Sequence, residues 1–365
     1  MRILNLIYKF STGGIGKCFL TYAKLSNVKK NLEIVSACID VENCNYDRSA
    51  LHNINAHILK VKSRRDFSWI PKVRDLIIET KPDAIFCHGF NGPIIVETVK
   101  KRYGIDVPMI CSYHGKYHAP TKQKKIFEGL INSTQAYLYR YYAKRIILVE
   151  NFSKAYLLSK RISEEKMFVV HNGIPDITDR GEVIHLPNDT ISIGLASRLD
   201  KIKGIEYLLK SLPLVEKSTS RSFHIYIIGD GPQENELHLL CSSLKITTKV
   251  TFLGYRNNVR DWLEAMDIFA LPSLHECHSI ALLEAMRSGK AIVATKVGGN
   301  EESVTNEKEA LTIPAKDIYA LSEALIRLIE DDKLRERLGS NARNRYLQEF
   351  TETAMMHNLV KALTL

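Results

Sequence analysis

The sequence predicts an α/β protein of two doubly wound domains, each built on a mostly parallel sheet. The chain has 365 residues, 45% of them hydrophobic, which exceeds one ordinary core and is typical of a globular protein. Short apolar runs rich in Ile, Val and Phe alternate with helical stretches, as buried parallel strands do. The alternation stops at residues 174–189, a segment with two prolines and several aspartates, and then starts again.

The first half contains six predicted strands with near-continuous apolar runs: Arg2–Tyr8, Leu32–Cys38, Asp83–His88, Val107–Tyr113, Arg145–Glu150 and Met167–His171. Helices are predicted at Ile70–Thr80, Pro93–Tyr103 and Lys122–Ala143. Because apolar runs of this kind suit strands buried on both faces, a helix layer is expected on each side of the sheet.

After the predicted linker at 174–189, the same pattern returns. Strands are predicted at Thr190–Ala196, Phe223–Ile228, Lys249–Leu253, Asp267–Leu271 and Ala291–Thr295. Helices are predicted at Lys203–Lys217, Gln233–Leu244, Ile280–Ser288 and Asp317–Asp331. The charged tail from residue 333 onward, with its regularly spaced leucines, predicts one or two closing helices.

Charge separates the two halves. The chain carries a formal net charge of +10, whereas residues 1–175 alone carry +14. The first half therefore has either an anionic partner or a solvated basic face. No apolar run has the length of a signal peptide or a spanning helix, and the seven cysteines contain no C-x-x-C. Reduced thiols and a cytoplasmic location are expected.

A glycine-rich loop, Gly13-Gly14-Ile15-Gly16, follows the first predicted strand and opens a helix. Such a loop lets a backbone approach a phosphate at the helix N-terminus, but a tight turn explains it equally well. Asp40, near the end of the second strand, leaves a dinucleotide-dependent oxidoreductase open.

Two basic residues stand at the start of the second domain. Arg198 follows the strand Thr190–Ala196, and Lys203 precedes the next helix. Ligands of doubly wound folds bind at strand carboxyl ends, and an Arg with a Lys suits a diphosphate. Two exposed basic residues in a charged loop are the alternative.

Two glutamates separated by seven residues, Glu276 and Glu284, follow the strand Asp267–Leu271. The first lies in the loop and the second one turn into the helix, so both can face the same strand ends. Glu284 lies among apolar residues, where a carboxylate needs a hydrogen-bond donor such as a vicinal diol. A salt bridge at the helix start is the alternative role.

The chain contains several further short motifs. They are Gly229-Asp230-Gly231-Pro232, Phe252-Leu253-Gly254, Pro272-Ser273, Glu284-Ala285-Met286 with Gly289, Gly298-Gly299 with Glu302, His114-Gly115 and His171-Asn172-Gly173-Ile174. Together with the Arg198–Gly204 segment and the paired glutamates, they resemble glycosyltransferase family four, the retaining glycosyltransferases of GT-B fold. The resemblance covers essentially the whole chain and is strongest from Thr190 to Glu302.

The resemblance implies two Rossmann-like domains that face each other across a cleft. Residues 1–173, with a C-terminal helix at 350–365 returning to them, would form the acceptor side. Residues 190–349 would bind the nucleotide-sugar. The implied activity is transfer of a hexose or N-acetylhexosamine from a UDP-sugar to a glycan or lipid-linked acceptor, in surface polysaccharide such as lipopolysaccharide or capsule. A sugar-nucleotide epimerase of the same fold is the related alternative.

Residue roles follow from the resemblance by position. Catalytic roles fall on Glu276, Arg198, Lys203 and His114. Donor-binding roles fall on Gly14, Gly16, Arg198, Lys203, Gly254, Tyr255, Arg256, Glu276, Cys277, His278, Ser279, Ile280 and Glu284. In this scheme Arg198 and Lys203 bind the diphosphate, Glu284 the ribose hydroxyls and Glu276 the donor sugar. His114 would contact the transferred sugar from the first domain.

The sequence departs from the commonest family pattern at Cys277-His278-Ser279, where many members have Gly-Phe-Gly. The identity of the donor sugar is therefore open, and His278 is either a new hydrogen-bonding group or a partly buried ring. No D-x-D motif is present, so no metal and no cofactor are expected. Fixed positive charge would stabilise the leaving diphosphate, and family precedent is retention of configuration.

The acceptor is expected on the first domain. Lys122, Lys124 and Lys125 precede a helix that contains Tyr137, Tyr139, Tyr141 and Tyr142 and is followed by Lys144 and Arg145. Basic and aromatic residues together suit an anionic membrane surface, and packing of a buried helix is the alternative. Peripheral association with the inner membrane leaflet is thus an open expectation. No nucleic-acid reader motif is present, and no nucleic-acid partner is expected.

Overall fold

The computed structural model describes residues 1–10, 14–25, 31–42, 49–63, 65–116, 125–177, 179 and 181–364. The chain forms two compact units. The first comprises Met1–Asn172 with Met355–Leu365, and the second comprises Gly173–Ala354. Each unit carries one parallel sheet with helices around it, so the prediction of two Rossmann-like domains is confirmed.

In its described residues, the first unit has a seven-stranded sheet of order β3-β2-β1-β4-β5-β6-β7. The strands are β1 (Arg2–Tyr8), β2 (Glu33–Val41), β3 (His57–Val61), β4 (Ala84–His88), β5 (Met109–Tyr113), β6 (Ala143–Leu148) and β7 (Met167–Val169). The helices are α1 (Gly14–Ala23), α2 (Ser49–His52), α3 (Trp69–Thr80), α4 (Asn91–Tyr103), α5 (Lys125–Tyr141) and α6 (Ser153–Ser159). The strand order reverses between β1 and β4.

The second unit has a six-stranded sheet in the part that the structure describes, of order β10-β9-β8-β11-β12-β13. The strands are β8 (Thr190–Ala196), β9 (Ser222–Ile228), β10 (Val250–Gly254), β11 (Ile268–Leu271), β12 (Ala291–Thr295) and β13 (Leu311–Ile313). The helices are α7 (Ile205–Ser218), α8 (Glu234–Ser243), α9 (Val259–Ala265), α10 (Ile280–Arg287), α11 (Asn300–Ser303), α12 (Ile318–Glu330) and α13 (Asp332–Glu349). Here the order reverses between β8 and β11.

Every strand predicted from sequence is present, with ends within three residues of the prediction. The sequence missed β3 and β13, and both lie at an edge of their sheet. Strand β3 has two exposed residues, two half-buried residues and one buried residue, and β13 has only three residues. Neither forms the long apolar run that is typical of a strand buried on both faces.

Aspartates start the long helices near the C-terminus. The Asp317 carboxylate accepts hydrogen bonds from the backbone N–H groups of Tyr319 and Ala320 at 3.0 and 2.9 Å, which caps α12. Asp331 caps α13 by accepting from Leu334 N at 2.9 Å. Each such cap is worth about 1 kcal/mol, since it pairs N–H groups that have no partner within the helix.

A closing helix, α14 (Glu352–Thr364), leaves the second unit and completes the first. Its apolar residues Met355, Leu359 and Leu363 are buried in one cluster with Ile3 and Phe86. The guanidinium of Arg145 donates to the Ala362 carbonyl at 2.6 Å. The residues before the helix stay with the second unit, where Ile174 N donates to Phe350 O at 3.1 Å.

Within the described residues, no helix combines the length and the apolar character needed to cross a bilayer. Six cysteines are described and all are free thiols, as the scattered spacing predicted: Cys18, Cys38, Cys87, Cys111, Cys241 and Cys277.

Candidate active site

The predicted diphosphate and sugar residues of the second unit follow two neighbouring strands. Arg198 comes after β8, and Lys203 ends a one-turn 3₁₀ helix, Lys201–Lys203, before α7. Glu276 lies in the loop between β11 and α10. Since β8 and β11 pair where the strand order reverses, these loops share the crevice at which open α/β sheets bind ligands.

Lys203 and Glu276 form an ion pair, with Lys203 Nζ 2.7 Å from Glu276 Oε1. The hydroxyl of Ser273 donates to the same carboxylate oxygen at 2.7 Å. The Glu276 side chain is 8% exposed and that of Lys203 is 25% exposed, so the pair is largely removed from water. The sequence placed both residues in the site, and the structure brings them into direct contact.

Backbone contacts fix this pair. Leu274 N donates to the Ile202 carbonyl at 2.8 Å and joins the two loops. Gly204 has φ +62°, and a Cβ there would lie 2.1 Å from the Pro272 carbonyl oxygen. Only glycine therefore allows the loop after β11 to pass this close to the start of α7.

We expect Gly204→Ala to lower the unfolding free energy of the second unit by roughly 2–5 kcal/mol, because strain at positive φ adds to the clash. Gly289→Ala is the matched control. Its φ is also +62°, but a Cβ there would have no neighbour nearer than 3.8 Å, so about 1–2 kcal/mol is expected. Urea unfolding in a Trp69→Phe background, where Trp262 reports on the second unit, measures both. Equal losses would show that the Pro272 contact is irrelevant.

The far side of the Glu276 loop rests on Gly298. Its φ is +49°, and a Cβ there would lie 1.8 Å from the Glu276 carbonyl oxygen. Gly299 N donates to that same oxygen at 3.3 Å. The Gly298-Gly299 motif therefore supports the backbone that carries the carboxylate.

The residues after Glu276 start α10. Ser279 caps the helix by accepting from Leu282 N at 3.4 Å. The His278 ring is buried, with Nε2 3.3 Å from Ser303 Oγ and its centroid 5.4 Å from that of Phe350. The side chain of His278 thus packs inside the unit, whereas donor binding by the backbone N–H groups of Cys277–Ile280 remains a prediction.

Arg198 is exposed and pairs with Asp200, with Nη2 2.8 Å from Oδ2. Its loop is held in place because Leu199 N donates to Asp230 O at 2.7 Å. Because water screens this pair, it holds Arg198 weakly, and the guanidinium can turn to an anionic ligand.

The other predicted donor residues surround these strand ends. Glu284 is half-buried on α10. Gly254 ends β10, and its carbonyl accepts from Gly229 N at 2.8 Å. Tyr255 and Arg256, which follow, are exposed. The structure leaves their predicted roles at the ribose and the base as predictions.

The remaining predicted residues belong to the first unit. Helix α1 begins at Gly14, Gly16 is buried in its first turn, and Gly13 lies outside the described residues. His114 follows β5, with Nε2 3.1 Å from Ser112 Oγ. Burial lowers the pKa of His114 to about 4, so its imidazole is neutral at pH 7.

Sequence reasoning missed two polar residues of the site, Ser273 and Asp200. Ser273 belongs to the Pro272-Ser273 motif, and Asp200 lies two positions after Arg198, so both had a signal in the sequence. Their roles could not be predicted from the sequence, because the loop conformation decides which side chain pairs with Glu276 or Arg198. Among the described residues, no group of His, Cys, Asp or Glu side chains could hold a metal ion.

Two family models match consecutive parts of the chain. Glycosyltransferase Family 4 matches residues 40–176, and Glycosyl transferases group 1 matches residues 178–345. An uncharacterized glycosyltransferase of Methanocaldococcus jannaschii is 25% identical over 347 residues, which cover 86% of this chain and 86% of the relative. These findings favour a glycosyltransferase over the oxidoreductase alternative.

A second relative and a solved structure agree with the family models. The UDP-Gal:alpha-D-GlcNAc-diphosphoundecaprenol alpha-1,3-galactosyltransferase of Escherichia coli is 24% identical over 301 residues, 78% of this chain and 76% of that protein. The protein in the crystal structure of Anabaena HepE in complex with UDP-glucose is 20% identical in sequence to this chain. The two structures superpose with a TM-score of 0.82, over 100% of this chain and 99% of that chain. The superposition shows that the fold is shared.

Proposed function

Because the chain belongs to the glycosyltransferases of GT-B fold and family-four type, we propose that it moves a hexose or N-acetylhexosamine from a UDP-sugar to a glycan or lipid-linked acceptor, with retention of configuration. The pathway is surface polysaccharide assembly, such as that of lipopolysaccharide or capsule. The observation that carries this proposal is the cluster of Lys203, Glu276 and Ser273 at the switch point of the second sheet.

The activity of one relative and the ligand of one solved structure support the proposed donor and acceptor class. The Escherichia coli relative uses UDP-Gal and a diphosphoundecaprenol-linked sugar, and the HepE complex contains UDP-glucose. A UDP-sugar with a lipid-linked or glycan acceptor is therefore the first combination to test.

The ion pairs indicate how the site works. Before donor binds, Lys203 and Arg198 each pair with a carboxylate, Glu276 and Asp200. An incoming diphosphate would draw both cations toward its own oxygens, and Glu276 would then accept hydrogen bonds from the sugar hydroxyls. The cations stabilise the charge that grows on the diphosphate as the glycosidic bond breaks.

Retention is the stereochemical course that we propose. In the donor complex Glu276 would accept hydrogen bonds from Ser273 and from the sugar hydroxyls, which reduces its strength as a nucleophile. We therefore place the acceptor hydroxyl on the leaving-group face, where a diphosphate oxygen takes its proton. Bond making to the acceptor oxygen and bond breaking to the diphosphate then occur on one face of the sugar.

An aromatic crevice in the first unit is the proposed seat of the acceptor. It lies where the first sheet reverses, between the end of β1 and the start of α4, and has a volume of about 640 Å³. Tyr8, Phe67 and Trp69 contribute aromatic walls, while Lys9 and Asn91 contribute polar groups. Aromatic faces with a few polar groups suit a sugar ring.

The test is a panel of labelled UDP-, GDP- and ADP-sugars with a diphospholipid-linked glycan acceptor. We expect the UDP-sugars to be the donors that are used. An α-linked UDP-sugar should give an α-linked product, and the activity should persist in EDTA. A β-linked product would overturn the retaining assignment. Complete loss in EDTA, restored by manganese, would overturn the metal-free assignment. Donor epimerisation without transfer would identify an epimerase.

Membrane association of the first unit is a separate part of the proposal. Four large side chains of α5 are exposed at helical spacing: Phe127, Leu130, Tyr137 and Tyr141. The opposite face is buried, where the Tyr139 hydroxyl donates to Ser112 O. The packing expectation thus holds for one face, whereas the other presents aromatic residues to solvent.

Basic side chains lie beside this exposed face. Lys101 Nζ is 4.4 Å from the Tyr142 ring centroid, and the Arg140 guanidinium is 5.1 Å from that of Tyr141. Lys144 is exposed just beyond the helix. Lys122 and Lys124 lie outside the described residues, as does the side chain of Lys125. Aromatic groups flanked by cations suit the interface of an anionic bilayer.

Binding to vesicles should require anionic lipid and weaken with added salt, since each basic residue near the surface contributes about 1 kcal/mol. Reversing Lys122, Lys124 and Lys125 to Glu should lower the vesicle-bound fraction at least about tenfold. Reversing Lys217, Lys245 and Lys333 of the second unit is the control with the same charge change. Co-sedimentation measures both. Equal losses, or no binding at low salt, would refute this surface.

A further inference from the structure

A buried chain of hydrogen bonds crosses the first sheet and ends at His114. Asn5 Oδ1 lies 2.6 Å from His88 Nε2, and His88 Nδ1 lies 2.9 Å from Ser112 Oγ. Ser112 Oγ in turn lies 3.1 Å from His114 Nε2. These groups sit on β1, β4 and β5, neighbouring strands of one sheet. Asn5, His88 and Ser112 are each less than 3% exposed.

The direction of every bond in the chain follows from its first member. Asn5 Nδ2 is 3.3 Å from the Phe19 carbonyl oxygen, which can only accept, and 3.2 Å from Ser36 Oγ. The amide nitrogen must therefore face Phe19, and Oδ1 must face His88. As Oδ1 can only accept, His88 carries its proton on Nε2.

The environment of His88 excludes a second proton. Its ring centroid is 4.5 Å from that of Phe86, 5.5 Å from that of Tyr22 and 5.8 Å from that of Phe19. Burial holds the pKa of His88 well below its ordinary value. Nδ1 of a neutral His88 is thus an acceptor, so the Ser112 hydroxyl donates its one hydrogen bond to His88 Nδ1. The Ser112 oxygen can then only accept, and His114 must donate from Nε2.

We propose that Asn5, His88 and Ser112 are positioning residues that hold His114 as the Nε2–H tautomer, so that its Nδ1 can only accept hydrogen bonds. The tautomer follows from the hydrogen-bond geometry together with the neutral state of the buried His88 ring. The role of His114 toward a sugar rests on the proposed function.

The opposite assignment fails at a definite point. If His114 carried its proton on Nδ1, the Ser112 hydroxyl would donate its one hydrogen bond to His114 Nε2 and could not donate to His88 Nδ1. His88 would then need a proton on Nδ1, and its Nε2 lone pair would face Asn5 Oδ1 at 2.6 Å. Two acceptors at that distance in a dry interior repel each other, and an unmade buried hydrogen bond is costly.

The test is the imidazole nitrogen NMR spectrum of the full chain labelled with ¹⁵N-histidine, without substrate. Signals of His88 and His114 are assigned by their loss in His88→Gln and His114→Gln. We expect both rings to be neutral at pH 7 and protonated on Nε2. Protonation on Nδ1 in either ring of the wild-type chain would overturn the proposal, whether or not any variant folds.

Ser112→Ala supplies the second readout. We expect His114 to become a mixture of tautomers, and donor kcat/KM to fall about tenfold, because the ring loses the bond that orients it. Ser112→Thr keeps the hydroxyl and should restore the Nε2–H spectrum. Ser211→Ala, which also removes a buried serine hydroxyl but in the second unit, is the control. An unchanged His114 spectrum in Ser112→Ala would refute positioning by Ser112.

The two proposals fail separately. A fixed His114 tautomer without transfer activity on any sugar nucleotide would remove the proposed function and leave the positioning chain intact. Transfer activity with a mixed or Nδ1–H His114 in the wild-type chain would refute the positioning chain and leave the proposed function intact.

Discussion

Lys203→Ala is expected to lower kcat by about 100- to 1000-fold at saturating UDP-sugar, with a smaller change in KM. The ammonium stands 2.7 Å from Glu276 in a crevice that is largely closed to water. A positive charge fixed there stabilises the leaving diphosphate more than the bound donor, because negative charge accumulates on the diphosphate only as the bond breaks. Arg198→Ala should act in the same direction through its exposed guanidinium.

The control for Lys203→Ala is Lys201→Ala. Lys201 lies in the same 3₁₀ turn, but its side chain is 75% exposed and 3.9 Å from Glu236. Initial rates with labelled donor should therefore be unchanged in that variant. Normal turnover in both Lys203→Ala and Arg198→Ala would show that the diphosphate binds elsewhere.

Lys203→Ala also leaves Glu276 nearly buried without its cation, which is destabilising. The variant Lys203→Met with Glu276→Gln removes both charges and should recover stability without recovering turnover. Thermal unfolding and kcat measured side by side separate a folding defect from a catalytic one. Recovery of turnover in the double variant would refute the electrostatic role of Lys203.

Glu284→Ala is expected to weaken UDP binding about 10- to 100-fold, the equivalent of one charge-assisted hydrogen bond. Glu284 is half-buried on α10, in the second unit, and two ribose hydroxyls would both donate to its carboxylate. Titration calorimetry with UDP, in the absence of any acceptor, measures this step alone.

Two further measurements sharpen the Glu284 result. UDP and its 2′,3′-dideoxy analogue, which lacks both ribose hydroxyls, should differ in affinity in the wild-type chain but much less in Glu284→Ala. Glu323→Ala, at an exposed position of α12, should bind UDP normally. A folded Glu284→Ala variant with unchanged UDP affinity would exclude Glu284 from the ribose site.

In the described part of the chain, the sequence predicts every central strand of both sheets and misses two of the four edge strands. Strand β4 is buried throughout and forms an apolar run, whereas β3 has two exposed polar residues, His57 and Lys60, and is not recognised. The sequence also places Arg198, Lys203 and Glu276 after two strands, β8 and β11, which the structure shows to be neighbours. The ion pair between Lys203 and Glu276 could not be predicted, because it depends on how closely two loops approach.

The hydrogen-bond chain behind His114 is beyond sequence reasoning for a different reason. Asn5, His88 and Ser112 are single polar residues inside apolar runs, and each taken alone is an ordinary interior residue of a strand. Their contact depends on the order of β1, β4 and β5 in the sheet, which periodicity does not reveal. The same holds for α5, whose exposed aromatic face becomes visible only when its buried face is known.

Helix α14 has a consequence for how the protein is made. The first unit lacks Met355, Leu359 and Leu363 in its core until the whole second unit has been translated. During synthesis, the second unit can therefore reach its final fold first. Until α14 is translated, the first unit exposes the apolar surface that this helix later covers. Ribosome-bound chains stalled before residue 355 should expose that surface to chaperones, and chains extended through α14 should not.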